Sequence, residues 1–143
     1  MKSQELNILR EIQRNTENAI TTLDTIAGKI FDDQLAMQVS RQSMGYSRLR
    51  SEALDQILSA RAKPYQGNHW AEMAAKAGVH YNTLLNTSTS RLAELMIRES
   101  NNGILEMKRA LNHNEEARGK AVTLARELID LEQKNVEQLI PYL

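Results

Sequence analysis

The chain has 143 residues, and its 18 basic and 18 acidic side chains balance to a formal net charge of 0. This length suits one domain with one core, so we expect a single domain over residues 1–143. Balanced charge favours neither nucleic acid nor anionic lipid as a partner. Cysteine is absent, which excludes disulfides, thiolate metal sites and cysteine catalysis.

The hydropathy pattern predicts a helical protein without a membrane segment. The beginning of the chain, MKSQELNILREIQ, lacks the unbroken apolar core of a signal peptide. No segment approaches the roughly 18 apolar residues of a membrane span, so a cytoplasmic location is expected by elimination. Aromatic residues make up only 4% of the chain, and no alternation of apolar and polar residues persists, so the fold class is predicted to be all-α.

The first two predicted helices carry apolar residues at steps of three and four. The first helix should run from Ser3 or Gln4 to about Lys29, with Ser3 as the candidate N-cap. The second should cover about Asp33 to Ala60, with the turn at Asp32 and Asp33 capping it. The stripe of the first helix consists of Leu9, Ile12, Thr16, Ile20, Leu23 and Ala27. The stripe of the second consists of Leu35, Val39, Gln42, Tyr46, Leu49, Ala53 and Ile57.

A break around Pro64 separates these helices from the second half of the chain. His69 to Ala77 then reads as a short extra amphipathic helix. The third long helix is predicted over Tyr81 to Asn112, and the fourth from about Glu115 to Ile140. The buried side of the fourth helix is expected to consist of Ala121, Leu124, Leu128, Leu131, Asn135 and Leu139.

The third helix has an unusual mixture of apolar and polar residues on one face. Its stripe consists of Leu85, Leu92, Met96, Gly103, Met107 and Leu111, widened by Leu84, Leu95 and Leu105. Polar or small residues lie on or beside it, namely Ser88, Glu99, Ser100 and Gly103. The segment Asn101–Gly103 has low helix propensity and must be held by packing. Two interpretations stay open: a bend or close helix crossing at Gly103, or a polar pocket around Glu99 and Asn102.

Four long helices with short connections predict an antiparallel up-down-up-down four-helix bundle. Such bundles can hold two iron ions when two helices each supply a glutamate and the other two each supply Glu-x-x-His. The nearest matches here are Glu52-x-x-Asp55 and Glu127-x-x-Asp130, without the histidines. The candidate metal ligands are therefore Glu17, Glu52, Asp55, Glu99, Glu127 and Asp130. Carboxylates at this spacing commonly face solvent, so we expect no metal, no cofactor and no iron oxidation.

The second half of the chain resembles a family of small bacterial proteins of the ferritin-like type. The residues that carry this resemblance are the Thr- and Ser-rich helix NTLLNTSTSRLAELMIRESNNGILEMKRALN and, after it, the pattern formed by Leu128, Ile129, Asp130, Glu132 and Asn135. The resemblance covers residues 79–143 well and the first half only in layout. It implies a ferritin-like four-helix bundle and no particular activity.

Two functions are compatible with these features. The first is a non-catalytic protein that acts through protein contacts, with a homodimer as the suggested assembly. The alternative is a metal or small-ligand binder that uses the polar patch of the third helix, with Ser88, Glu99 and Asn102 facing Glu17 or Glu132.

Overall fold

The protein is described by a computed structural model that covers residues 2–67 and 88–143. Within these ranges it has four α-helices, α1 (Ser3–Ala27), α2 (Asp33–Ser59), α3 (Thr89–His113) and α4 (Lys120–Leu139), and a final 3-10 helix at Ile140–Tyr142. The two ranges contain no β-strand, so the all-α prediction is confirmed for them. None of the helices found there has the length and apolar character that crossing a membrane requires.

The apolar stripes of the helices meet in one core. Every residue of the predicted stripe of α2 is buried, including the polar Gln42 and Tyr46. On α3 the prediction holds for Leu92, Met96 and Met107. It is wrong for Leu105, which is 61% exposed. Helical spacing alone cannot place the edge of a stripe, because that edge depends on how far the neighbouring helices wrap around it.

Two helix starts show how local hydrogen bonds set the boundaries. Asp32 caps α2 as predicted, because its carboxylate accepts a 2.9 Å hydrogen bond from the backbone nitrogen of Leu35. The predicted cap at Ser3 is wrong. Lys2 is the N-cap of α1, and its backbone nitrogen donates to Glu5 at 2.8 Å.

The third helix begins later than the sequence predicted. Ser88 is extended (φ −60°, ψ 150°) and its hydroxyl accepts from the backbone nitrogen of Arg91, so the helix starts at Thr89. Ser88 is therefore an exposed N-cap and not part of the buried stripe. The predicted short helix at His69–Ala77, and the predicted helical residues 81–87, lie outside the described residues.

The turn between α3 and α4 is longer than predicted. Asn114, not Asn112, is the C-cap of α3, and its side-chain nitrogen donates to the carbonyl of Ala110 at 2.8 Å. The next helix begins at Lys120 because Gly119 before it has φ +74°, a left-handed conformation that favours glycine and is not helical.

Hydrogen bonds between helices set which faces meet. Asn7 near the start of α1 donates to Asn114 just past the end of α3, at 3.1 Å. Further along α1, Asn15 donates to the carbonyl of Gly103 at 3.3 Å. These contacts place the middle of α1 against the glycine of α3, and a cavity lies beside this crossing.

Candidate functional site

A cavity of about 220 Å³ lies between the middle parts of α1 and α3 and reaches inward to α2 and α4. Its inner end is formed by Gln42, Tyr46, Ser100, Gly103 and Glu132. Its wall on the α1 side is formed by Asn15, Asn18, Ala19, Thr22 and Leu23. Its outer end is formed by Glu99, Asn102, Leu105, Glu106 and Arg109. The lining is mostly polar although much of it is buried.

A hydrogen-bonded network closes the inner end. The hydroxyl of Tyr46 donates to Glu132 Oε1 at 3.2 Å and accepts from Asn135 Nδ2 at 3.2 Å. Ser100 lies near the same hydroxyl and lines the same end of the cavity. Glu132 is only 1% exposed. Burial, followed by the negative charge of Glu132, raises the pKa of Tyr46 well above its ordinary value, so this tyrosine is a neutral hydrogen-bond donor at physiological pH.

Gly103 makes room for the buried carboxylate. A Cβ atom built on Gly103 would overlap both carboxylate oxygens of Glu132 and would lie 2.6 Å from its Cδ atom. The absence of a side chain on α3 is therefore what lets the carboxyl group of α4 reach the cavity. The close helix crossing and the polar pocket predicted for α3 are therefore the same feature. The group that approaches the α3 backbone at Gly103 is a polar side chain that lines the cavity.

The α1 wall and α2 add neutral polar groups. Asn15, Asn18 and Thr22 are all buried. Asn15 is held by its hydrogen bond to the Gly103 carbonyl. Gln42 is 2% exposed, and its Nε2 atom has no hydrogen-bond partner among the residues that the structure describes. A buried donor left in this state costs free energy, so something else in the cavity is expected to accept from it.

The predicted polar patch of α3 is only partly present at this site. Glu99 and Asn102 line the outer end of the cavity, and Glu132 closes its inner end. Ser88 is not among the lining residues because it caps α3. Glu17 is held elsewhere by Arg50, whose Nε atom lies 3.0 Å from its Oε1 atom.

The other candidate metal ligands lie on the outside of the bundle. Glu52 and Glu127 both pair with Arg48, at 3.2 and 3.3 Å. Asp55 and Asp130 are exposed. Across residues 2–67 and 88–143, no group of three or more His, Asp or Glu side chains is placed to hold a metal ion.

The cavity residues do not fit a pair of iron ions. Glu132 and Asn135 have the spacing of the Glu-x-x-His motif, but an amide replaces the imidazole. The described lining contains no histidine, and two iron ions need several carboxylate and imidazole ligands at once. The donors instead suit hydrogen bonding to one small molecule.

Glu127→Gln is expected to change the free energy of unfolding by no more than about 0.5 kcal/mol. Glu127 forms only a partly exposed ion pair with Arg48, and such pairs contribute little in water. Chemical denaturation of the wild type and the variant measures the difference. A loss of several kcal/mol would show that this carboxylate has a structural or metal-binding role.

Four polar residues of the site were not predicted from the sequence as functional candidates: Gln42, Tyr46, Asn15 and Asn135. A signal was present for three of them, because Gln42, Tyr46 and Asn135 fall on the predicted buried stripes. A polar residue on an apolar stripe must be hydrogen-bonded or face a cavity. Asn15 gave no such signal, since it lies beside the stripe of α1 and not on it.

Comparison with known proteins returned no match of any kind: no family model, no curated protein and no solved structure.

Proposed function

We propose that this chain is a non-catalytic binding protein that holds a compact polar molecule in the cavity between α1 and α3. One observation supports this above the others: the closed end of the cavity is built around a carboxylate, Glu132, that is 1% exposed. Burying a charged group is costly unless hydrogen bonds or a ligand compensate it. A chain that needed only a stable core would use an apolar residue there.

The dimensions of the cavity limit the size of the ligand. Pockets for drug-sized molecules have volumes of about 300–1,000 Å³, and this one has about 220 Å³. The inner end is enclosed by polar side chains, whereas Leu105 and Arg109 at the outer end are exposed. A small polar molecule could therefore enter between α1 and α3 without separating the helices.

We further propose a ferritin-like arrangement of the four helices, which differs from the simple up-down-up-down order. Contacts between α1 and α3 join Asn7 with Asn114 and Asn15 with Gly103. Contacts between α2 and α4 join Gln38 with Gln138 and Tyr46 with Glu132. In both pairs, the residue numbers of the contacts rise along one helix and fall along the other. This order supports antiparallel packing of α1 with α3 and of α2 with α4. Such pairing requires one long connection between α2 and α3, as ferritin-like bundles have.

The binding proposal can be tested by nuclear magnetic resonance on uniformly ¹⁵N-labelled protein. The probes are a panel of compact neutral, cationic, anionic and zwitterionic compounds. We expect at least one class to shift the side-chain amide signals of Asn15, Asn18 and Gln42 together, because all three line the cavity. The amide of Gln138, which does not line it, serves as an internal reference.

A matched pair of variants locates the binding. Ala19 lines the cavity, so Ala19→Leu fills part of it and is expected to weaken binding at least tenfold. Ala36 is half-buried on α2 away from the cavity, so Ala36→Leu should leave binding unchanged. Binding that survives Ala19→Leu, or a panel that shifts no cavity signal, would reject the proposed function.

A second candidate function, association with another copy of the chain, is supported by an exposed apolar patch on α2. Met37 and Met44 are 56% and 72% exposed, and their spacing of seven residues puts them on one face of the helix. Light scattering would distinguish a dimer from a monomer of 16.2 kDa. A monomeric mass at high protein concentration would reject self-association.

A further inference from the structure

We infer that the ligand is a compact primary amine that also carries an oxygen acceptor close to its nitrogen, as in a small amino alcohol or amino acid. This inference rests on the proposed binding function. It follows from two features at the inner end of the cavity: the carboxylate of Glu132 and the amide nitrogen of Gln42.

The charge at the inner end favours a cation. Glu132 is the one charged side chain among the buried residues of the described ranges. The one basic residue in the described lining, Arg109, is exposed at the outer end. The other inner groups, such as Tyr46 and Ser100, are neutral. Among the described lining residues, the inner end therefore carries one carboxylate and no basic group, and the attraction of a cation to a carboxylate is strong where the dielectric is low.

The lining favours an ammonium group that carries hydrogens. Binding sites for quaternary ammonium ions are formed by several aromatic rings, and Tyr46 is the only aromatic residue of the described lining. A primary ammonium has three N–H donors. It can donate one to Glu132 and others to amide oxygens of the α1 wall, where Asn15 and Asn18 lie. A metal ion is less well suited, because the described residues provide no cluster of three ligands.

Gln42 supplies the second part of the specificity. Its Nε2 donor is buried and has no partner within the described residues. Gln42 lies one helical turn before Tyr46 on the same face of α2, so its amide is a neighbour of the carboxylate network. A ligand that contacts both side chains needs a cationic N–H donor for the carboxylate of Glu132. It also needs, a few bonds away, an oxygen acceptor for the amide nitrogen of Gln42.

Four small probes separate these features in calorimetric titrations of the full chain. Ethanolamine carries both groups, propylamine lacks the oxygen, ethylene glycol lacks the cation, and choline has methyl groups in place of the N–H donors. We expect ethanolamine to bind at least tenfold more tightly than ethylene glycol and choline. We expect it to bind severalfold more tightly than propylamine.

Two variants assign the preferences to their residues. Glu132→Gln keeps the shape of the side chain and removes its charge, so ethanolamine affinity should fall at least tenfold. Gln42→Leu should abolish the advantage of ethanolamine over propylamine. Glu127→Gln, which removes an acidic group on the outside of the bundle, is the control and should bind ethanolamine like the wild type. Thermal melts verify that each variant is folded.

The outcomes distinguish this inference from the proposed function. If ethylene glycol, choline or an anionic compound of the panel binds more tightly than ethanolamine, the ligand class is wrong although a small molecule is bound. Equal affinity of the wild type and Glu132→Gln for ethanolamine would overturn it as well. If no compound of the panel binds, or if Ala19→Leu binds as tightly as Ala36→Leu, both the class and the binding function are wrong.

Discussion

Replacing Gly103 with alanine is expected to lower the free energy of unfolding by about 1–3 kcal/mol, as overpacking a closely packed interior does. The added methyl group would occupy the space of both carboxylate oxygens of Glu132. Glu132 is buried, so its displacement disturbs the hydrogen bond with Tyr46 at the same time. This cost outweighs the gain of about 1 kcal/mol that alanine otherwise has over glycine inside a helix.

Gly45 on α2 provides the matched control for this substitution. It is also inside a helix, and a Cβ atom there would meet the tip of Leu131, at 3.0 and 3.1 Å from its two methyl groups. Leu131 is only half-buried, so its tip can shift outward. Gly45→Ala should therefore be neutral or stabilising by up to about 1 kcal/mol. Urea denaturation of both variants measures their free energies of unfolding. Equal changes in the two variants would contradict the assigned role of Gly103.

The periodic part of the fold was predictable from sequence because burial follows helical geometry directly. All seven stripe residues predicted for α2 are buried, and its start at Asp33 agrees with the prediction. The start of α3 was not predictable in the same way. Helical spacing continues through Ser88, but the extended backbone of that residue and its hydrogen bond to Arg91 begin the helix there. The periodic pattern of apolar residues does not show whether a serine continues a helix or caps it through its side chain.

The candidate site was harder to predict because it depends on the rotation of each helix about its axis. Glu99 and Asn102 could be recognised from α3 alone, since they adjoin its stripe. Glu132 was predicted only as an alternative to Glu17, and the choice between them depends on how α4 packs its carboxylate against Gly103. The acidic residues chosen from their i, i+3 spacing, such as Glu127, turned out to lie toward solvent. Spacing specifies a shared face, whereas the choice of buried face requires the packing partners.

The inner end of the cavity combines features that stability alone does not favour. Gly103 lowers the helix propensity of α3 by about 1 kcal/mol relative to alanine, and Gln42 leaves a buried amide nitrogen without a partner in the described residues. Proteins keep such locally unfavourable residues mainly at functional sites. The proposed ligand would accept a hydrogen bond from this amide and donate to the carboxylate of Glu132. It would also stabilise the fold by mass action.

Removing the hydroxyl of Tyr46 is expected to destabilise the protein, because Tyr46→Phe takes the donor from Glu132 and the acceptor from Asn135. A hydrogen bond to a charged group contributes about 1.5–3 kcal/mol, so a loss of this size is expected at pH 7. Tyr142→Phe is the control. Tyr142 is half-buried and has no side-chain hydrogen bond within the described residues, so a change below about 0.5 kcal/mol is expected there.

The pH dependence of this loss tests the network more specifically than its size does. Burial and the charge of Glu132 raise the pKa of Tyr46 in the folded protein above the ordinary value of 10.0, which the unfolded chain retains. Above that pH the unfolded chain releases the tyrosine proton, whereas the folded protein keeps it. The stability that the protonated Tyr46 gives to the folded protein is therefore lost as the pH rises, by at most about 1.4 kcal/mol per pH unit. Phenylalanine has no such proton. The difference in unfolding free energy between wild type and Tyr46→Phe should therefore shrink by about 1 kcal/mol from pH 9 to pH 11. A difference that stays constant over this range would show that the Tyr46 hydroxyl is not buried beside the carboxylate.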